Sequence, residues 1–155
     1  MSRRSLYILL AAGGSAALLL GALGFQYLGG LAPCKLCIWQ RWPHLAAVLI
    51  ALPALATRGP VFPWLGALAA AATAAVGGYH TGVERSWWEG PTTCTTSNDI
   101  GAMSTDALLE SIMNAPLVRC DEVPWEMFSL SMASWNMILS LALVALWLMA
   151  ARAAR

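Results

Sequence analysis

The sequence has few charged residues and little histidine. Only 11% of its 155 residues are charged, nine are lysine or arginine, and two are histidine. A soluble domain has about 25% charged residues, so this composition is not that of an ordinary soluble protein. The basic residues are dispersed along the chain without forming a patch, which argues against nucleic acid as a partner.

The cysteines lack the neighbours that a metal or haem site requires. Cys34 and Cys37 form one Cys-x-x-Cys pair, which is half of a zinc ribbon, but Cys94 and Cys120 stand 26 positions apart with no histidine nearby. No histidine follows Cys37 directly, which excludes covalent haem attachment. We therefore predict that the protein has no metal site.

Four long apolar runs occupy most of the chain, and 59% of the residues are hydrophobic. About 20 apolar residues are needed to cross the roughly 30 Å hydrocarbon layer of a membrane. The first run exceeds the apolar core of a secretory signal, about 7–15 residues, so we interpret it as a span rather than a cleaved leader. We predict an all-α membrane protein, a four-transmembrane-helix bundle that forms a single domain over 1–155, with spans at about 6–27, 38–56, 61–79 and 128–149.

Charges of opposite sign are segregated along the chain. All eight acidic residues lie between positions 84 and 126, whereas the ends of the chain and the second connection are basic, with Arg3, Arg4, Arg58, Arg152 and Arg155. With four spans the basic segments share one side, which the positive-inside rule assigns to the cytoplasm. Both termini are then cytoplasmic, and the outer loops, at about 28–37 and 80–127, face outward together with all four cysteines.

The second outer loop is predicted to carry a short amphipathic helix. Ser104 has the character of a helix cap, and Asp106 favours the positive end of the helix dipole. The apolar positions that follow share one face, at Leu108, Leu109, Ile112 and Met113. This face either lies in the membrane interface or packs on the bundle.

An even number of cysteines outside the cytoplasm indicates disulfide chemistry. Cys94 and Cys120 can close the long loop with a structural bridge, and a redox role is equally compatible with their spacing. A bridge between Cys34 and Cys37 constrains little of the unfolded chain, because loop-closure entropy grows with loop length. Two adjacent thiols suit exchange better, since the second thiol can resolve a mixed disulfide formed at the first.

The residues after Cys37 favour a reactive thiolate. Cys37 lies near the amino end of the second span, where amide groups and the helix dipole stabilise negative charge, and Arg41 follows one turn later. A regular helix would place Cys34, Cys37, Arg41 and His44 on one stripe, although Pro43 leaves the local geometry open. An arginine inside a span either reaches the interface or has a partner. One such partner is a membrane quinone, the electron acceptor available to a dithiol at that depth.

The chain resembles the DsbB family of disulfide bond formation proteins. The resemblance covers nearly the whole length: four spans, Cys-x-x-Cys before the second span followed by "CIWQR", a cysteine pair in the second outer loop, and "VPWEMFSLSMASWN" leading into the fourth span. In the related vitamin K epoxide reductase family the loop cysteines precede the Cys-x-x-Cys motif, which is the reverse of this order.

The resemblance implies a bacterial inner-membrane oxidoreductase that reoxidises a periplasmic thioredoxin-fold partner, DsbA-like, and passes the electrons to ubiquinone or menaquinone. By position, Cys94 would form the mixed disulfide with the partner and Cys120 would be its bonded mate. Cys34 would exchange with that pair, and Cys37 would contact the quinone. Arg41 would anchor the quinone and lower the pKa of Cys37.

Two histidines are further candidates for quinone contact. His80 lies near the position of a quinone-proximal histidine in the family, although "GGYHTGVERSWW" aligns only loosely, and His44 lies on the predicted stripe. An interfacial histidine without a role remains open for both. The alternative function for the whole chain is a non-catalytic tetraspan scaffold whose cysteines form structural disulfides.

Overall fold

A computed structural model describes residues 2–91, 104–105, 109 and 118–153. Four long helices and one small hairpin lie in these segments. Their bounds are α1 Arg3–Tyr27, α2 Lys35–Ala56, α3 Val61–Glu84, β1 Glu126–Met127, β2 Leu130–Ser131 and α4 Met132–Arg152. The predicted helical architecture is confirmed, with the antiparallel pair β1–β2 as an element that we did not predict.

The helices pack in a ring in which each contacts two neighbours. Helix α1 packs on α2 and α4, and α3 packs on the same two helices from the other side. Among the described residues, three helices are long and apolar enough to cross a membrane: α1, α3 and α4. Helix α2 is not among them, because its first half carries Lys35, Gln40, Arg41 and His44. The prediction of four spans is therefore not confirmed, while the membrane character of the protein is.

The helix bounds differ from the predicted span bounds, which stay predictions. Helix α2 begins at Lys35, so Cys37 lies inside it and not in an outer loop at 28–37. Helix α3 continues past 79 to Glu84, which moves His80 from the predicted loop 80–127 into the helix. The fourth helix begins at Met132 rather than at 128, because the hairpin β1–β2 occupies the preceding residues, and it extends to Arg152.

The basic segments meet at one end of the bundle. The Arg4 guanidinium donates hydrogen bonds from Nη2 to the carbonyl oxygens of Ala54, at 2.7 Å, and Gly59, at 3.2 Å. The start of α1 therefore lies beside the α2–α3 turn, where Arg58 is located. This contact agrees with the sidedness that the charge pattern predicts, and it leaves the start of α2 and the end of α3 at the opposite end.

Small residues allow α3 and α4 to approach closely, as is common in membrane helix bundles. Ala70 and Ala74 are buried on α3, and Trp147 of α4 is fully buried against the same helix. A methyl group added at Gly66 would lie 2.5 Å from the Trp147 ring. Glycine is thus required at 66 by the position of the indole.

We expect Gly66→Ala to destabilise the bundle by about 1–3 kcal/mol, the usual cost of overpacking a filled core. Gly13→Ala is the matched control, because a methyl group there meets nothing within 4 Å. Alanine at 13 should leave stability unchanged or raise it slightly, since glycine is the poorer helix former. Thermal unfolding of both variants in detergent measures the difference, and equal melting temperatures would contradict this packing.

Candidate functional site

The Cys34–Cys37 pair lies at the amino end of α2. Cys34 is the N-cap, and its sulfur accepts a hydrogen bond from the Cys37 amide at 3.2 Å. The two Sγ atoms lie 2.7 Å apart. Cys34 is buried and Cys37 is partly exposed. The cap geometry therefore holds both sulfurs in the contact that disulfide formation requires.

The two thiols of this pair differ in their surroundings. Contact with the Cys37 sulfur and burial raise the pKa of Cys34 above its ordinary value. This direction favours negative charge on Cys37 when the pair loses one proton. Cys37 is also the cysteine nearer to the Arg41 charge along the helix, which favours a thiolate there.

His80 of α3 contacts the cysteine pair. Its Nε2 lies 3.5 Å from Cys34 Sγ and 3.8 Å from Glu84 Oε1. The ligand-type atoms of Cys34, Cys37 and His80 all lie within 4.8 Å of one another. The fold thus supplies the histidine whose absence from the neighbouring sequence argued against a metal site.

The orientation of Gln40 determines which His80 nitrogen carries the proton. Gln40 Nε2 donates to the Leu36 carbonyl oxygen at 3.2 Å, which identifies it as the amide nitrogen, and the same atom lies 3.0 Å from His80 Nδ1. Nδ1 is therefore the acceptor, and the N–H of the neutral ring is at Nε2, facing Cys34. A metal would need a lone pair at Nε2, so this tautomer disfavours metal binding. The absence of a metal site stays a prediction.

Asn136 of α4 completes a buried polar network. Its Nδ2 donates to Gln40 Oε1 at 2.7 Å and to Thr73 at Oγ1, 3.1 Å, and at the carbonyl oxygen, 3.4 Å. Its Oδ1 accepts from His44 Nε2 at 2.8 Å. One amide thus joins α2, α3 and α4 beneath the cysteine pair, and every bond of the network has a donor facing an acceptor.

An apolar cavity of about 440 Å³ opens on the other side of Cys37. Its wall is formed mainly by apolar and aromatic side chains of α1, α4 and the segment before α4, including Leu18, Phe25, Trp125, Trp135 and Leu139. The polar residues that reach it include Cys37, Arg41 and His44 from α2. The predicted stripe on α2 is confirmed for these three residues, whereas Cys34 caps the helix and faces α3.

Arg41 is fixed between α2 and α1. Its guanidinium donates from Nη1 to Gln26 Oε1 and from Nη2 to the Ala22 carbonyl oxygen. Both partners are neutral, so they position the positive charge without cancelling it. Arg41 Nε is buried and has no hydrogen-bond partner among the described residues. Arg41 is therefore a wall residue with a positive charge and one buried donor nitrogen that the described residues leave unpaired.

Cys120 lies on the outer side of the pair. It packs with Cys34 in a small apolar cluster that includes Leu36 and Val83. It also lines an outward-facing cavity of about 870 Å³, together with Trp87, Trp88 and Asp121. Cys34 and Cys37 thus share a cluster with Cys120, and Cys37 also lines the apolar cavity. Cys94 lies outside the described residues, as does most of the predicted loop helix.

The family model for disulfide bond formation protein DsbB matches residues 3–150. The chain belongs to the DsbB family. It is therefore a membrane oxidoreductase of disulfide bond formation, and the family resemblance inferred from the "PCKLCIWQR" region is confirmed. The match extends over all four helices, including α2.

Curated relatives agree with this assignment. The chain is 30% identical to the disulfide bond formation protein B of Stutzerimonas stutzeri, with 94% of each chain covered. It is 34% identical to the protein of that name from Methylococcus capsulatus, over 83% of this chain and 82% of the relative. It is 33% identical to the protein of that name from Shewanella frigidimarina, over 77% of this chain and 73% of the relative. No solved structure gave a significant match.

Several DsbB-site residues were missed from the sequence. Gln26, Gln40, Thr73 and Asn136 hold the predicted residues in place through the bonds described above. The signal was available in part, because Gln40 and Asn136 are polar residues in apolar runs, and such residues in membrane segments usually face a partner or a cavity. Their partners lie far away in the chain, so only the folded bundle identifies them.

Proposed function

We propose that the protein oxidises the dithiol of a periplasmic thioredoxin-fold partner, DsbA-like, and passes the two electrons and two protons to a membrane quinone. The observation that carries the proposal is the position of the Cys34–Cys37 pair. Cys34 and Cys37 belong to the small cluster that Cys120 packs against, and Cys37 also lines the apolar cavity with Arg41. A dithiol in that position can receive electrons from the outer loop and deliver them to a ligand in the cavity.

The thiol steps proceed by two balanced exchanges. A partner thiolate attacks Cys94 and displaces Cys120 from their disulfide, and the partner's second cysteine then releases Cys94. Cys120 next attacks Cys34 and displaces Cys37, and Cys94 displaces Cys34 to restore the loop disulfide. Each exchange breaks one S–S bond and forms one, so the two electrons move from the partner to the Cys34–Cys37 pair. The packing of Cys120 on the cluster that contains Cys34 supports this order.

The cavity suits a quinone ring. Its volume of about 440 Å³ lies within the usual range for small-molecule sites, about 300–1,000 Å³. Two buried nitrogens on residues of its wall, Arg41 Nε and His44 Nδ1, have no partner in the segments that the structure describes. A bound quinone, ubiquinone or menaquinone, supplies a two-electron and two-proton acceptor. Arg41 positions a ring oxygen and stabilises negative charge there, and His80 orients the Cys34 sulfur.

The proposed setting is the bacterial inner membrane, with α2 as a fourth span. The cysteine end of the bundle then faces the periplasm, and both termini face the cytoplasm. The contacts of Arg4 with Ala54 and Gly59 support this topology, because they hold basic segments together at the other end. Cysteine substitutions at Ser5 and Gly30 test it, if they are labelled with reagents that reach either one side or both sides of the spheroplast membrane. Labelling of both from the same side would contradict it.

The function is tested with the purified protein, a reduced thioredoxin-fold oxidase and a short-tailed ubiquinone or menaquinone. We expect quinone reduction to equal partner oxidation, one quinone for each dithiol. Loss of quinone absorption and free-thiol counts measure the two sides separately. If the chain is a scaffold with structural disulfides, neither quantity will change above the rate without protein.

Cys94 is the expected contact for the partner. A thioredoxin-fold partner that retains only its attacking cysteine should be captured as a mixed disulfide at Cys94, because its resolving thiol is missing. Mass spectrometry of the trapped complex identifies the linked cysteine. Capture only at Cys34 would overturn the proposed order of exchange.

A further inference from the structure

His44 is a buried histidine with one nitrogen unexplained by the protein. Its side chain lies on the cavity wall, is 3% exposed, and is held at Nε2 by Asn136. Nδ1 is buried with no hydrogen-bond partner among the described residues. A buried polar atom of this kind is unfavourable unless a ligand satisfies it. The exchange steps involving the cysteines do not use it.

The protonation of His44 follows from the orientation of Asn136. The Asn136 nitrogen is identified by its contacts with the Thr73 carbonyl oxygen and Gln40 Oε1, both of which can only accept. The atom that faces His44 is therefore the amide oxygen, which also can only accept. It follows that His44 Nε2 carries the proton and that Nδ1 of the neutral ring presents a lone pair.

Two residues of the cavity wall consequently carry unpartnered nitrogens of opposite kind. Within the described part of the chain, Arg41 Nε is a donor without a partner and His44 Nδ1 is an acceptor without a partner. The two residues lie three positions apart on α2, so their side chains are neighbours on one face of the helix. A ring that carries two carbonyl groups can pair with Arg41 but not with His44. A ring that carries two hydroxyl groups can accept from Arg41 and donate to His44.

We propose that His44 Nδ1 accepts a hydrogen bond from a ring hydroxyl of quinol, so that the cavity binds the reduced ring more tightly than the oxidised ring. This inference rests on the proposed function, in which the cavity is the quinone site. His44 becomes a specificity-determining residue, and Asn136 becomes a positioning residue that fixes its tautomer. Tighter binding of the reduced form makes the bound quinone a stronger oxidant of the Cys34–Cys37 pair.

The expected preference is about tenfold, which corresponds to about 1.4 kcal/mol and is typical of pairing one buried polar atom. For a two-electron couple the same factor raises the reduction potential of the bound ring by about 30 mV. The measurement is anaerobic titration of the oxidised protein with a short-tailed ubiquinone and with its quinol. Quenching of tryptophan fluorescence reports binding directly, because Trp125 and Trp135 line the cavity.

Two comparisons decide the result. His44→Leu should weaken quinol binding about tenfold and leave quinone binding unchanged, because only the hydroxyl contact is lost. In the unaltered protein, the dimethyl ether of the quinol should bind about tenfold more weakly than the quinol, since it has no hydroxyl to donate. This ligand comparison keeps the proposal testable if the variant does not fold.

The outcomes that would overturn the role of His44 differ from the outcome that would overturn the quinone site. Equal binding of quinone and quinol by the unaltered protein, a preference that survives in His44→Leu, or an ether that binds as tightly as the quinol would each overturn the role of His44. In those cases the cavity would still be a quinone site. Binding of neither ring would overturn the quinone site itself, and the His44 proposal with it.

Discussion

Cys37→Ser is expected to abolish quinone reduction while leaving the first exchange with the partner intact. A serine hydroxyl cannot form the Cys34–Cys37 disulfide, and Cys37 is the cysteine of the pair that lines the apolar cavity. Electrons that reach the loop pair then have no route to the quinone. Serine is close to cysteine in size and lies in the first turn of α2, so the fold should persist.

The measurement separates the two halves of the reaction. With Cys37→Ser, a reduced partner should be oxidised in an amount limited to the loop disulfide present, and quinone absorption should stay constant. Cys120→Ser is the matched control, because it removes a loop cysteine and should prevent even this single oxidation. Continuous quinone reduction by Cys37→Ser would show that electrons bypass the Cys34–Cys37 pair and would contradict the proposed route.

The sequence spacing of the α2 residues correctly predicted which of their side chains share one face of the helix. Cys37, Arg41 and His44 are separated by four and three positions, so any helix over these residues places them on one face. Pro43 lies inside α2, and the helix continues past it to Ala56. The three side chains therefore stay on one face of the helix. The assignment of these residues to one cavity needed the fold, because Phe25 of α1 and Trp135 of α4 form the opposite wall.

The contacts with α3 could not be read from spacing. We ended the third span at 79 because polar residues follow, but the helix accommodates them. Thr81 donates to the Gly77 carbonyl oxygen within the helix, and His80 meets Gln40 and Cys34. These partners are 40 and 46 positions away in the chain. A polar helix end becomes predictable only when its partner on another helix is known.

The hairpin before α4 was missed for a different reason. Its two-residue turn has positive φ at both Phe128, 54°, and Ser129, 59°. Such turns strongly favour Asn-Gly or similar pairs, and Phe-Ser carries no such signal. The pairing of Glu126 with Ser131 and of Met127 with Leu130 nevertheless closes the turn, and Ser131 then caps α4. The hairpin also places Met127 at the cavity wall.

Arg41→Ala is expected to raise the apparent KM for quinone by roughly 10- to 100-fold, which corresponds to the loss of one charge-assisted hydrogen bond in a buried site. The side chain is oriented by Gln26 and the Ala22 carbonyl oxygen, and no described residue pairs with its Nε. Alanine leaves the ring oxygen of the quinone without a donor. The Michaelis constant for the partner protein should not change, because the partner is proposed to engage the outer loop.

Two further variants separate the Arg41 charge from its position. Arg41→Lys keeps the positive charge but cannot reach Gln26 and the Ala22 carbonyl with a planar fork, so its KM for quinone should fall between those of the native protein and Arg41→Ala. Gln26→Leu keeps the arginine and removes its main anchor, so KM should rise by less than in Arg41→Ala. An unchanged quinone dependence in Arg41→Ala, with Cys37 still active, would remove Arg41 from the site and leave the cavity without the donor on which the quinone assignment depends.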